Sequence, residues 1–127
     1  MVLPVHNQLG LTRSCLERLS GTSEPFELCV VDNASTDGTE AFFRAAALPF
    51  RHRYHRSAEN VGLIRALNQG AALAGGDVLC FLPNDAEIRD VRWLARLRAA
   101  LEAPAVGLAD LYGVRRRRVS HGRASQT

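Results

Sequence analysis

The sequence predicts an α/β fold in which a mostly parallel sheet carries helices on both faces. Two observations support this prediction: short apolar runs alternate along the chain with segments of helical periodicity, and the apolar runs end in polar residues. Strands covered on both faces read as continuous apolar runs, and parallel pairing needs crossovers between them. The 127 residues suffice for one domain with its own core.

Four strands are predicted, and they differ in how apolar they are. Residues 27–32 and 77–82 contain continuous apolar runs and are expected to be buried strands, whereas residues 1–5 form a shorter one. Residues 50–55 mix aromatic and charged side chains, which favours a more exposed strand.

Helical periodicity recurs between and after these strands. Leu11 and Leu63 belong to two apolar stripes that are expected to face the core. Asp37 and Asp90 stand where an N-cap is expected, so two helices are predicted to begin at an aspartate. The predicted helices span residues 11–20, 37–47, 60–74 and 90–102.

Charge divides the chain into a body and a tail. Five of the 16 basic residues lie after Val114, so the body carries 11 basic against 13 acidic residues. We therefore expect a domain over residues 1–112 and a basic, disordered tail over residues 113–127. An acidic body and a tail without aromatic side chains argue against nucleic-acid binding.

Composition excludes further classes of protein. The chain contains no lysine, which rules out a Walker phosphate loop, a Schiff-base lysine and a Ser-Lys dyad. No apolar run approaches the roughly 20 residues of a membrane span, and no secretory leader is recognisable, so a cytoplasmic location is expected. The three cysteines match no metal-ligand spacing and are expected to be buried thiols.

The polar strand ends predict where a ligand binds. In open α/β sheets ligands bind beyond the carboxyl ends of the strands, where four polar loops are expected here: residues 4–7, 32–39, 59–62 and 82–87. A dinucleotide site is disfavoured, because the first turn, HNQLGL, holds one glycine and no G-x-G-x-x-G run. Carboxylates at this edge suit a ribose or a hard cation on a diphosphate. Asp37 stays ambiguous, since it can cap a helix, bind a ligand or do both.

The chain resembles the nucleotide-binding half of family-two glycosyltransferases of the GT-A fold in four motifs, LPVHNQ, CVVDNASTDGT, ENVGLIRALNQGAALAGGDVLCFLPNDAEI and WLARLRAALE. Bacterial rhamnosyl- or galactosyltransferase-like members are the most similar. The resemblance covers residues 2–109. It implies a Rossmann-like GT-A nucleotide-binding half, truncated relative to whole family members, and a role in cell-surface polysaccharide biosynthesis.

The resemblance also implies a reaction and its partners. Such enzymes transfer a hexosyl group with inversion from a UDP- or dTDP-sugar to an acceptor hydroxyl, with Mg²⁺ or Mn²⁺ on the diphosphate. The acceptor would be a glycan or a lipid-linked saccharide.

The nucleotide pocket implied by the resemblance draws on all four loops. Asp32 is expected to face the pyrimidine base and its ribose, while Asn68 lies further along a helix as an outer contact. The resemblance assigns nucleotide contacts to Pro4, Val5, Asn7, Asp32, Ser35, Asp37, Asn60, Gly62, Asn68 and Asn84.

Asp85 corresponds to the last carboxylate of the family's metal-binding D-x-D motif. That motif reads Pro83-Asn84-Asp85 here, so its first acid is missing, and a carbonyl oxygen of Asn84 could assist Asp85. A plain surface acid is the alternative for Asp85. Glu87 is expected to be a solvated acid at a helix entry.

No catalytic base is identified. In the family this base lies in a second half that has no counterpart here, and Asp110 and His121 fall on no family motif. His6 flanks the nucleotide loop and is expected to be structural. Two functions stay open: glycosyl transfer, or nucleotide binding by a fragment without independent transferase activity. Such a fragment is expected to self-associate through an exposed sheet edge.

Overall fold

A parallel sheet of three strands, in the order β1-β2-β3, forms the centre of the fold. The computed structural model describes residues 1–103, 106–110 and 113–116. The strands are β1 (Val2–Val5), β2 (Leu28–Asp32) and β3 (His52–Arg56). All five residues of β2 are buried, because this strand has a neighbour on each side and helices on each face.

Four helices flank this sheet, and their positions confirm the predicted architecture. The side chains of Leu3 and Val30 pack in a core with residues of α1, α2 and α4 on one face. On the other face α3 lies against β1 and β2, where Gly70 allows close approach to Val2 and Val31. The helices are α1 (Leu9–Leu19), α2 (Thr39–Ala45), α3 (Leu63–Leu73) and α4 (Trp93–Leu101).

The prediction of a fourth, buried strand at residues 77–82 is wrong. Only an isolated parallel bridge joins Phe81 to Val2, with N–H donation from Val2 to Cys80 at 2.7 Å and from Leu82 to Val2 at 2.9 Å. Three of its apolar side chains, those of Val78, Leu79 and Phe81, are 44–51% exposed. Pairing stops after the bridge because the next donor of β1 toward this segment would be Pro4, which has no N–H to donate.

Two predicted core positions are also wrong. Leu11 and Leu63 are 46% and 60% exposed, while Thr12 and Ala66 are fully buried in their place. In α1 the other apolar residues of the stripe, Cys15, Leu16 and Leu19, are buried as expected, whereas in α3 Ala66 takes the place of Leu63 on the buried side. The reason is the close contact of α3 with the sheet, which a small side chain such as that of Ala66 permits and a leucine would prevent.

Two further strands, β4 (Val106–Asp110) and β5 (Gly113–Arg116), pair as an antiparallel hairpin after α4. Strand β5 lies inside the segment predicted as a disordered tail, and residues 117–127, including His121, fall outside the described residues. The division into residues 1–112 and 113–127 stays a prediction. Among the helices described, none combines the length and the apolar composition needed to cross a membrane.

Candidate functional site

The chain leaves the carboxyl ends of β1 and β2 in an unusual backbone conformation. Asn7, Gln8 and Ala34 have φ values of 52°, 54° and 59°. Residues other than glycine adopt this left-handed region uncommonly, asparagine more readily than most, and such residues concentrate at functional sites. The polar loops predicted from the sequence therefore begin with sharp turns at this edge of the sheet.

Asn7 joins the loop after β1 to the loop after β2. Its backbone N–H donates to Oγ of Ser35 at 2.8 Å. Its side-chain Oδ1 accepts from the N–H groups of Thr36 at 2.7 Å and of Asp37 at 3.2 Å. Three of the residues assigned to the pocket, Asn7, Ser35 and Asp37, are thus in direct contact.

Asp37 caps two helices at once. Its Oδ2 accepts from the N–H of Leu9 at 3.2 Å, at the start of α1. Its Oδ1 accepts from the N–H of Thr39 at 3.0 Å and from the Thr39 hydroxyl at 2.5 Å, at the start of α2. The hydroxyl bond, chiefly, holds the pKa of Asp37 below its usual 3.8. The N-cap residue of α2 is Gly38 and not the predicted Asp37, yet the Asp37 carboxylate satisfies the first N–H group of each helix. The nucleotide contact of Asp37 stays a prediction.

Asp32 is fully buried and turned toward the protein. Its Oδ1 accepts from the N–H of Ser35 at 2.9 Å, and its Oδ2 accepts from the hydroxyl of Tyr54 on β3. Burial, followed by this bond to Asp32, raises the pKa of Tyr54. In this arrangement the carboxylate of Asp32 orders the loop. To contact a base and its ribose, as predicted, it would have to give up its hydrogen bonds to Ser35 and Tyr54.

Arg56, at the end of β3, supports the same loop from the other side. Its Nη2 donates to the carbonyl oxygen of Ser35 at 3.0 Å, and its Nε lies 3.2 Å from Oε2 of Glu40. Sequence reasoning gave no role to Tyr54 or Arg56. The alternation within HRYHR could have indicated them, because every second residue of the strand is partly buried.

Asn33 attaches the loop before α3 to the end of β2. Its Oδ1 accepts from the N–H of Val61 at 2.8 Å, and its Nδ2 donates to the carbonyl of Gly62 at 3.2 Å. Within the loop, Oδ1 of Asn60 accepts from the N–H of Gly62 at 3.0 Å. These contacts bring Asn60 and Gly62 to the same edge as Asn7. Sequence reasoning gave no role to Asn33.

His6 donates from Nδ1 to the carbonyl oxygen of Asn33 at 2.7 Å. Because a carbonyl only accepts hydrogen bonds, the proton lies on Nδ1. This contact agrees with the structural role expected for His6. Val5 likewise contributes its backbone, since its side chain belongs to the core and its carbonyl accepts from the N–H of Asn33 at 2.8 Å.

The other assigned residues are placed less closely together. Pro4 is half-buried within β1, and Asn68 is exposed in the second turn of α3. Nδ2 of Asn84 donates to Oγ1 of Thr12 at 3.3 Å, in the first turn of α1. The Pro83-Asn84-Asp85 segment therefore lies near the N-terminal end of that helix.

Asp85 is exposed next to Asn84, and Glu87 pairs with Arg89 at 2.6 Å on the surface, as a solvated acid does. Among the described residues no three metal-ligating side chains come together. One carboxylate and one amide oxygen suit only a hard cation that takes its remaining ligands from a diphosphate and water. With that donor set the residues fit Mg²⁺ or Mn²⁺.

Comparison with known proteins identifies the family of the chain. The profile of glycosyl transferase family 2 matches residues 1–125. The chain belongs to glycosyl transferase family 2. The resemblance found in the sequence motifs is thereby confirmed.

Relatives of this family 2 chain share both sequence and fold. A PGL/p-HBAD biosynthesis glycosyltransferase of Mycobacterium bovis is 34% identical over 102 residues, which are 78% of this chain and 40% of the relative. The mannosyltransferase PcManGT from Pyrobaculum calidifontis, solved in complex with GDP-Man and Mn²⁺, superposes with a TM-score of 0.79 at 29% identity. S. aureus TarS, solved with UDP-GlcNAc, shares the fold with a TM-score of 0.70 at 23% identity.

The chain spans about a third of these proteins. It covers 32% of PcManGT, with 84% of its own residues aligned, and 30% of the TarS chain, with 79% aligned. The likeness confirms the GT-A type of α/β fold and the class of enzyme to which the family belongs.

Proposed function

We propose that this family 2 chain binds the nucleoside-diphosphate sugar donor of a glycosyl transfer at the carboxyl edge of β1 and β2. One observation carries the proposal. Asn7 and Asn33 tie three polar loops, from three different parts of the sequence, into a single hydrogen-bonded wall. Structural relatives bound to GDP-Man or UDP-GlcNAc support a nucleotide-sugar ligand.

The donor is proposed to be a UDP- or dTDP-sugar. Asn7, Asn60 and Gly62 line the nucleotide wall, together with Pro4 and the backbone of Val5. Asp32, Ser35 and Asp37 act mainly by fixing the shape of this wall through their mutual hydrogen bonds. Asn68 is proposed as an outer contact.

Asp85 is proposed to hold Mg²⁺ or Mn²⁺, with the carbonyl oxygen of Asn84 beside it. Nδ2 of Asn84 donates to Thr12, which leaves its Oδ1 available to a cation. A divalent cation bound there would stabilise the negative charge of the departing nucleoside diphosphate. Mn²⁺ in the complex of PcManGT supports this cofactor.

Transfer to an acceptor hydroxyl with inversion is proposed for the whole enzyme. Among the described residues, the nucleotide wall can bind the donor, but no side chain is assigned as the general base. Donor binding without independent transfer is therefore the second candidate. Release of nucleoside diphosphate that depends on an added acceptor saccharide would distinguish the two. The cytoplasmic location, the role in surface polysaccharides and self-association through an exposed sheet edge stay predictions.

The experiment is thermal unfolding with UDP, dTDP or GDP, each with and without Mn²⁺. A ligand at about 100 times its dissociation constant adds about 2.7 kcal/mol to the free energy of unfolding, a shift of several degrees. We expect a shift with one nucleotide that requires Mn²⁺ and is lost in Asp85→Ala. Glu87→Ala is the matched control, because it removes a nearby exposed carboxylate that pairs with Arg89.

Cooperative melting without a shift for any nucleotide would reject donor binding by this chain. A shift that persists in Asp85→Ala and still requires Mn²⁺ would place the cation elsewhere. If Glu87→Ala loses the thermal shift to the same extent, the overall negative charge of this segment supports binding, and Asp85 is not a specific metal ligand.

A further inference from the structure

Asn33 links the end of β1, the end of β2 and the loop before α3, and the sequence alone gave it no role. The residue is only 7% exposed, and both ends of its side-chain amide are occupied. Oδ1 accepts from Val61 at 2.8 Å while Nδ2 donates to Gly62 at 3.2 Å. Its backbone N–H donates to Val5 at 2.8 Å, and its carbonyl accepts from His6 at 2.7 Å.

The loop that Asn33 holds has few other attachments. Among the hydrogen bonds of the described residues, the backbone of residues 58–62 reaches the sheet through the Asn33 amide. The other bonds are local, from Gly62 to Asn60 at 3.0 Å and from Ala66 to Gly62 at 3.2 Å. An exposed segment with few anchoring contacts opens locally at low cost when an anchor is removed.

We propose that Asn33 is a positioning residue for donor binding, whose side-chain amide holds residues 60–62 against the end of β2 so that Asn60 completes the nucleotide wall. The inference rests on the proposed function, because it concerns the same site. An amide suits this position since it must accept one hydrogen bond and donate another. A carboxylate accepts from Val61 but faces the carbonyl oxygen of Gly62 without a proton to donate.

The test compares the wild-type chain with Asn33→Ala and Asn33→Asp. Thr22→Val is the control: Thr22 accepts from Nε1 of Trp93 at 3.0 Å, beyond the C-terminal end of α1 and away from the strand-end loops. Two quantities are measured in each chain. One is the hydrogen-exchange rate of the Val61 amide without ligand, and the other is the dissociation constant for UDP, dTDP and GDP with Mn²⁺ by calorimetry.

We expect Asn33→Ala to speed exchange at Val61 and to raise the dissociation constant about tenfold or more, as the loss of one or two net hydrogen bonds predicts. Asn33→Asp should weaken binding while protecting Val61 better than Asn33→Ala does. Thr22→Val should leave both quantities within about twofold of wild type, even if the chain melts earlier.

Three results would overturn the positioning role. Unchanged affinity in Asn33→Ala would remove it outright, and weaker binding with unchanged exchange at Val61 would make Asn33 a direct nucleotide contact. A wild-type chain that binds no nucleotide would overturn the proposed function and the positioning role together. The exchange rate at Val61 would then still show whether the amide holds the loop.

Discussion

The hydroxyl of Tyr54 on β3 donates a hydrogen bond to the buried carboxylate of Asp32 at the end of β2. The two strands are neighbours in the sheet, where Val30 lies opposite Tyr54 and Asp32 lies opposite Arg56. The hydrogen bond therefore runs diagonally, from Tyr54 to a residue two positions further along β2. The other oxygen of Asp32 holds the N–H of Ser35 at 2.9 Å. One carboxylate thereby connects the sheet to the loop that follows it.

Replacing Tyr54 by phenylalanine should destabilise the chain by about 1–3 kcal/mol, because it leaves a buried acceptor oxygen of Asp32 without its donor. Urea unfolding measures this difference. The pKa of Tyr54 is raised above 10.0 in the folded chain, so its contribution is complete below pH 10 and is lost as the pH rises through the folded value. The gap between wild type and Tyr54→Phe should therefore shrink above pH 10. A gap that is absent at pH 7 would contradict the role of this bond.

Asp37→Ala should cost about 1–2 kcal/mol at pH 7, since it removes the caps of α1 and α2 together. The pKa of Asp37 lies below 3.8 in the folded chain, chiefly because of the Thr39 hydroxyl. Its contribution is therefore present above about pH 4 and is lost as the pH falls through the folded value. Chemical unfolding should show a difference in stability between wild type and Asp37→Ala that is constant from pH 7 to about pH 4 and narrows at lower pH. Asp77→Ala, at an exposed acid, serves as the comparison and should show no such gap.

Gly70→Ala should destabilise the chain by about 1–3 kcal/mol through overpacking. A Cβ atom at this position would lie 2.2 Å from Cγ1 of Val2 and 3.2 Å from Cγ2 of Val31, both of which are fully buried. Gly10→Ala is the matched variant in α1, where a Cβ atom meets nothing within 4 Å. It should stabilise by up to about 1 kcal/mol through helix propensity. Equal effects of the two changes on the melting temperature would contradict the close contact of α3 with the sheet.

The thiols should react slowly in the folded chain. Burial raises the pKa of Cys15 to about 11, so little of the reactive thiolate exists at pH 8, and Cys29 is fully buried. A disulfide reagent at pH 8 should label Cys80, which is half-buried, before the other two. In denaturant all three cysteines should react quickly. Fast native labelling of Cys15 would show that α1 opens readily from the sheet.

The strands and helices at the centre of the fold were predictable because their signals are local. A continuous apolar run such as Cys29–Val31 favours a strand with both faces covered, and polar residues at the ends of such strands indicate the ligand edge. Residues 77–82 show where this reasoning stops. Their composition is equally apolar, but pairing with β1 reaches only Phe81, because Pro4 supplies no N–H for the next bond of the ladder.

The α/β class, the family resemblance and the loops of the candidate site follow from the amino-acid sequence alone. The role of individual side chains in these loops became visible in the folded chain: Asp32 bonds to Tyr54, Asp37 to Leu9, and Asn33 to Val61. The partners in these three contacts are 22 to 28 residues apart in the chain. Periodicity and propensity report on near neighbours, whereas the pairing of parallel strands and the packing of the loops at their ends bring such distant groups within hydrogen-bonding distance.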